Sequence, residues 1–309
     1  IPMSDLTSMP PRASIAPEEW AQRVQLAACY RIFAMIGWTE LIYNHITVRI
    51  PGPDRHFLIN PFGLHYSEVT ASNLVRIDLQ GRVVRHSDWP VNPAGFTVHG
   101  AIHAGIEGAH CVMHTHTTAG MAVACSQAGL SMSNFYSAQL HGKVAYHDFE
   151  GITVHADEGP RLVRNIGDRP AVILRNHGLL AWGDSIERTF AVLWLLNRAC
   201  EIQCASLSMG AVIEVPADVQ RRCTADSLQF DPRFGAGRDM FQALVRQVDR
   251  IDPSYRYWTG AERHEDLHLR SGRDRRAGGG APGAQRPARQ RGGARCHARC
   301  GASRGAAAA

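Results

Sequence analysis

Two histidines stand two residues apart in Cys111-Val-Met-His114-Thr-His116, and a third lies in Leu174-Arg-Asn-His177-Gly178. Side chains two apart on a strand share a face, so His114 and His116 can grip one ion if a strand carries them. The apolar run Ala171–Arg175 reads as a second strand that ends just before His177 and would deliver it to the same rim. Three imidazoles that leave coordination positions open describe a catalytic metal site rather than a closed structural one. A His-x-His pair alone also arises by chance in a chain with 16 histidines, so its context has to decide.

The elements that would position these residues follow from the patterning. Pro17-Glu-Glu-Trp20 reads as a helix start with Pro at the first helical position, continued by Val24, Ala27, Ala28, Ile32, Phe33 and Ile36 until Gly37 stops it. His45–Ile50 and His56–Asn60 read as paired strands about the turn Pro51-Gly-Pro-Asp54. Leu74–Leu79 and Arg82–Arg85 read as a hairpin about Gln80-Gly81. A helix is predicted over Thr97–Ile106, a strand over Cys111–His114, and a helix over Thr118–Ala128 ended by Gly129. Ala171–Arg175 and Leu179–Trp182 flank the His177-Gly178 turn, and Asp184-Ser-Ile-Glu187 resembles a capping box opening a helix to about Met209. Strands and helices alternate without regular βαβ spacing, which suggests a mixed sheet between helical layers.

From about residue 20 to about residue 210 the chain resembles the class II aldolase and adducin N-terminal domain family. The resemblance rests on Asn44-His-Ile-Thr-Val-Arg49, Ile59-Asn-Pro-Phe-Gly63, Val98-His-Gly-Ala-Ile-His103, His114-Thr-His116 and Arg175-Asn-His-Gly-Leu179. It implies a three-layer α/β/α sandwich with a central mixed, mainly antiparallel sheet. It implies that His114, His116 and His177 hold a divalent ion, zinc first, with manganese or iron as alternatives. Asn44 and Gly63 match substrate-touching positions, and His45 could reach the open side of the metal. The alternatives are a backbone-bonded strand-start residue for His45 and a turn of positive φ for Gly63. Phe135 or Tyr136 falls near the place where family aldolases insert a catalytic tyrosine from a neighbouring subunit. A homotetramer is therefore implied.

One departure limits the analogy. Sugar-phosphate aldolases of the family carry a Ser-Ser-Glu run, phosphate-binding serines followed by an acid/base glutamate. The corresponding residues here are Pro93-Ala94-Gly95. A general base has to reach the proton it moves, and glycine offers no group to do so. The expectation is a metal-dependent carbon–carbon lyase, a decarboxylase or retro-aldolase, acting on an unphosphorylated carbonyl or hydroxy-carboxylate compound. A three-His iron oxygenase and an adducin-like non-catalytic interaction module are the alternatives. His99 and His103, one helical turn apart, could form a second metal pair, although supporting or packing roles suit them better. His141, His147 and His155 read as ordinary loop or surface residues.

Composition sets outer bounds. The chain has 309 residues, 45% of them hydrophobic, enough for one substantial core over residues 17–210. Residues 1–16 read as an N-terminal segment and 211–262 as a peripheral extension. From Arg263 onward there are 11 Arg against 3 acids, so the formal charge of +5 belongs to the tail, and the body holds 22 basic and 25 acidic groups. That balance gives no electrostatic footprint for nucleic acid. The Arg/Gly/Ala-rich tail, 263–309, is expected to be disordered. No apolar run is long enough to span a membrane and no secretory signal is evident, so a cytoplasmic location is expected. The eight cysteines form no Cys-x-x-Cys pair and read as reduced thiols.

Overall fold

The computed structural model describes residues 14–152, 156–227, 233, 235 and 237–257. The first 13 residues and the tail, with the expectations attached to them, lie outside the described residues.

Helix α1 runs Pro17–Ile36, with Pro17 in its first turn and Gly37 ending it at φ 79°, as its caps predict. Its buried side sends the Tyr30 hydroxyl to β1 (His45–Arg49), where it donates to the Ile46 carbonyl at 2.6 Å and accepts the Ile46 N–H at 2.9 Å. The start of the strand, and with it His45, is thereby fixed to the helix.

Seven strands form one sheet in the order β3-β2-β1-β4-β7-β6-β5, comprising β2 (Phe57–Ile59), β3 (Val75–Ile77), β4 (Cys111–Thr115), β5 (Val144–His147), β6 (Ala171–Leu174) and β7 (Gly178–Gly183). Every neighbouring pair is antiparallel except β5 with β6. Alternation along β4 divides the core. Cys111 and Met113 face the larger cluster with Tyr30 and Phe33 of α1 and Phe190 of α6 (Ile186–Ser208). Val112 faces a second cluster with Val98 and Ile102 of α2 (Pro93–Gly105) and Leu162 and Ile166 of α5 (Gly159–Ile166). The result is the α/β/α layering expected, with helices on both faces of a mainly antiparallel sheet.

Four details differ from the sequence reading. Helix α2 begins at Pro93, one turn earlier than predicted, because Pro at the first helical position is pre-set for the helix rather than a break. Helix α3 covers only Thr118–Ala124, since the Ala124 carbonyl accepts the Asn176 N–H of the β6–β7 turn at 3.1 Å, while the left-handed Gly129 comes later. The returning arm after β3 makes only an isolated Ile77–Val83 bridge, because the Asp78 carboxylate takes the N–H groups of Gln80 and Arg82 into a turn. The cap of α6 is Ser185, which accepts the Arg188 N–H at 3.4 Å, while Glu187 is engaged by Gln25 instead of closing a capping box.

The stretch read as a peripheral extension is partly core. After the short α4 (Phe135–Ala138) and the later α7 (Ala217–Ala225), helix α8 (Arg238–Ile251) buries Phe241, Val245 and Val248, and Phe241 packs on Phe190 at 5.7 Å. Its apolar residues recur at three- and four-residue spacing, too sparse among charges for the pattern to stand out.

Candidate metal centre and active site

The register of β1 on β4 sets His45 directly opposite His114. Beyond the end of β4, His116 returns to the same side, and the β6–β7 turn brings in His177. The ring centroids of His114 lie 4.5 Å from His116 and 4.7 Å from His177, and His116 lies 5.0 Å from His177. One ligand nitrogen from each of the three falls within 4.8 Å of the others.

The turn that carries His177 depends on backbone geometry at two positions. Asn176 adopts φ 56°, a left-handed conformation that Asn tolerates better than most residues. Gly178 has no room for a side chain, since a Cβ there would stand 2.5 Å from the Thr115 carbonyl oxygen and 3.0 Å from the His116 ring. Glycine thus lets the β7 backbone close on His114 and His116.

The donor set suits a divalent ion. The His114 Nδ1–H donates to the Leu179 carbonyl at 2.9 Å, which leaves the Nε2 lone pair directed at His116 Nε2, 2.7 Å away. A ligating histidine held by its second nitrogen on a backbone carbonyl is a standard metal arrangement. Burial first, then the neighbouring imidazoles, push His114 well below its usual range and His177 down to about 4. Burial also lowers His116. Neutral imidazoles are the ligating form. These three residues could hold a metal, and the cluster contains no carboxylate.

The centre opens on a cavity of about 560 Å³ whose walls include His45, Gly95, Phe149 and Ile152. The Cδ2–Nε2 edge of His45 lies against Gly95, where an added Cβ would stand 2.6 Å from Cδ2 and 3.0 Å from Nε2. A side chain at position 95 and His45 in this orientation exclude one another. Burial, then the charges of His116 and His177, push His45 down to about 3.

Other expected site residues fall elsewhere. The Asn44 amide is occupied by backbone: its Nδ2 donates to the Trp38 carbonyl and its Oδ1 accepts the His116 N–H, both at 3.1 Å. It holds the His116 backbone in place and is not at the cavity wall. Gly63 is likewise absent from the wall and serves a turn at φ 105°. Tyr136 packs on Trp194 at 5.6 Å, away from the cavity of its own chain. His147 is buried on β5 between Glu158 and Asn165, not on the surface as expected. His155 lies outside the described residues.

Two features escaped the sequence reading. The demand for Gly178 had only the His-Gly dipeptide as a signal. Thr47 bonds both His99 and His103, which are therefore bound to a hydroxyl instead of forming a second metal pair. Its position two residues after His45, on the same strand face, was a usable signal.

Residues 24–204 match the class II aldolase and adducin N-terminal domain. The chain belongs to that family. An aldolase II superfamily protein from Pseudomonas syringae is 41% identical, with a TM-score of 0.75 over 80% of this chain and 99% of that one. An L-fuculose 1-phosphate aldolase from Glaciozyma antarctica is 25% identical, with a TM-score of 0.70 over 82% of this chain and 98% of that one. Alpha-adducin from Rattus norvegicus is 41% identical over 243 residues, which span 74% of this chain but 33% of alpha-adducin. Class II aldolases as a group use a divalent metal, and the three-histidine cluster fits that requirement. Among the described residues, no helix is long and apolar enough to cross a membrane.

Proposed function

We propose that this class II aldolase family member is a metal-dependent carbon–carbon lyase acting on an unphosphorylated carbonyl or hydroxy-carboxylate compound. The observation that carries the reading is the convergence of His114, His116 and His177 on the wall of an open cavity. A divalent ion held there, zinc in the first instance, would supply Lewis-acid polarisation of a carbonyl or carboxylate oxygen.

The rest of the chemistry falls to the chain itself. With Gly95 in the first turn of α2, that position has no carboxylate to abstract a carbon-bound proton. Decarboxylation needs no such abstraction. Retro-aldol cleavage needs removal of a hydroxyl proton, and His45 Nε2 is the ring nitrogen on the cavity wall placed to accept a hydrogen bond from that hydroxyl. Both remain within the same lyase reading, and assays that score carbon dioxide and aldehyde release separately would divide them.

The charge of the wall bears on substrate choice. No Lys or Arg is among the described residues lining the cavity, while Glu40 is. A phosphate dianion would meet no countercharge from those side chains. Sugar phosphates such as L-fuculose 1-phosphate should therefore be turned over more slowly than unphosphorylated hydroxy acids, by about tenfold or more, as one lost charged contact implies. Faster cleavage of the phosphorylated sugars in a substrate screen would overturn this assignment.

Assembly is part of the proposal. Phe149 is 50% exposed and Ile152 80% exposed at the cavity mouth, and Phe135 is 71% exposed beside Tyr136. A second copy covering these residues would shut water from the site, in keeping with a homotetramer in which a neighbour supplies Tyr136. Light scattering at micromolar concentration should report a multiple of the 33.9 kDa chain. A monomer would remove Tyr136 from the active site.

An interaction module is the second reading, since alpha-adducin is as similar by identity as the Pseudomonas syringae protein. A purified, folded protein that takes up no divalent metal would favour it.

A further inference from the structure

Behind His45, away from the cavity, lies an unbroken file of hydrogen bonds. His103 Nδ1 is 2.6 Å from the Ala109 carbonyl, and His103 Nε2 is 2.7 Å from Thr47 Oγ1. Thr47 Oγ1 is 2.8 Å from His99 Nδ1, and His99 Nε2 is 2.9 Å from His45 Nδ1. His99, His103 and Thr47 are buried, and no carboxylate is hydrogen-bonded to the three rings among the described residues. A charged ring there would have no hydrogen-bonded countercharge to offset its burial, so the three rings are taken as neutral imidazoles.

Neutrality makes the file directional. A carbonyl cannot donate, so His103 carries its proton on Nδ1 and its Nε2 has only a lone pair. The Thr47 hydroxyl has one proton and must give it to that lone pair. Thr47 can then only accept from His99, which places the His99 proton on Nδ1 and leaves its Nε2 as an acceptor. His45 must donate to it from Nδ1. The remaining His45 nitrogen, Nε2, is the one against Gly95 on the cavity wall.

We propose that His103, Thr47 and His99 are positioning residues that lock His45 as its Nδ1–H tautomer and present the Nε2 lone pair to a substrate hydroxyl. The ring edge that carries it, Cδ2 above all, stands in the space that a Cβ at position 95 would take. The ligand class follows: a hydroxyl-bearing compound able to donate to Nε2 while its carbonyl or carboxylate end faces the three-histidine centre. The role of the lone pair rests on the lyase reading, whereas the tautomer is a property of the protein alone. Stacking of His103 on Phe57 at 4.3 Å and the edge-on approach of His99 to His45 at 4.3 Å hold the rings in line.

The test is long-range proton–nitrogen NMR of the full chain labelled with ¹⁵N-histidine and supplied with zinc, His45 being assigned by its loss in His45→Gln. The expected spectrum has His45 Nδ1 protonated and Nε2 unprotonated. Thr47→Val removes the hydroxyl and should move the His45 proton to Nε2, wholly or in part, whereas Thr47→Ser should keep the native pattern. A merely structural Thr47 would leave the tautomer where it was in both variants. If Thr47→Val does not fold, the native and Thr47→Ser spectra still decide. His45 found as the Nε2–H tautomer in the native protein, or unchanged in a folded Thr47→Val, overturns the proposal. Absence of lyase activity with the expected tautomer present would fault the functional reading and leave the file intact.

Discussion

Replacing His116 with alanine is expected to empty the metal site and abolish turnover. The cluster offers three imidazoles and no carboxylate, so the loss of one leaves two protein ligands where a catalytic zinc ordinarily uses three. Removing a mere supporting partner of a ligand costs about 10–100-fold in metal affinity or activity, so loss of the ligand itself should exceed about 100-fold. The fold should survive. His116 lies beyond the end of β4 at the cavity mouth and belongs to none of the hydrophobic clusters. Elemental analysis of the purified variant, beside its circular dichroism spectrum, checks both halves of the expectation. A folded variant with full metal content would remove His116 from the ligand set.

The second large effect is acid lability of the metal-free protein. Burial pushes His45 and His103 down to about 3 and His99 well below its usual range. In the unfolded chain each would titrate at about 6.5. As the pH falls through about 6.5, the unfolded state takes up protons that the folded state cannot, so stability rises with pH across this window and falls on acidification. Each histidine contributes a slope of about 1.4 kcal/mol per pH unit, and the three together about 4. That slope offsets a stability of about 5–10 kcal/mol, the lower half of the ordinary range, between about pH 5 and pH 4, and the protein should unfold there. Paired carboxylates such as Asp249 with Arg256 act in the same direction at lower pH, since their protonation also favours the unfolded chain. Far-UV circular dichroism against pH measures the transition. Cooperative native structure persisting near pH 3.5, in a protein whose denaturant-measured stability at neutral pH is below about 10 kcal/mol, would show that the histidine file is charged or hydrated in the folded state.

Much of the fold is legible because its signals are local. Pro17 and Gly37 bracket α1, and the apolar runs that become β4, β6 and β7 are short and bounded by polar residues. The His-x-His pair and the later His-Gly, at the ends of two such runs, mark a candidate metal site before any topology is known. What stayed hidden depends on long-range contact. Nothing near Asn44 states that its amide will hold the His116 N–H, 72 residues away. Nor does the charged sequence of α8 state that Phe241 will reach Phe190. The family resemblance made Asn44 and Gly63 substrate residues, whereas their local physics, a backbone clamp and a positive-φ turn, explains them in this chain. Gly95 illustrates the converse. In sequence it is a missing base, and only the packed structure reveals that its lack of a side chain admits His45.

The metal centre is the claim on which the functional reading stands, and anomalous diffraction from crystals of the full chain grown with zinc tests it most directly. The expected result is one strong peak per chain at about 2.0–2.1 Å from one nitrogen each of His114, His116 and His177, with a coordination position open toward the cavity. No peak at that position in well-ordered crystals, or a peak that leaves out any of the three histidines, would contradict it.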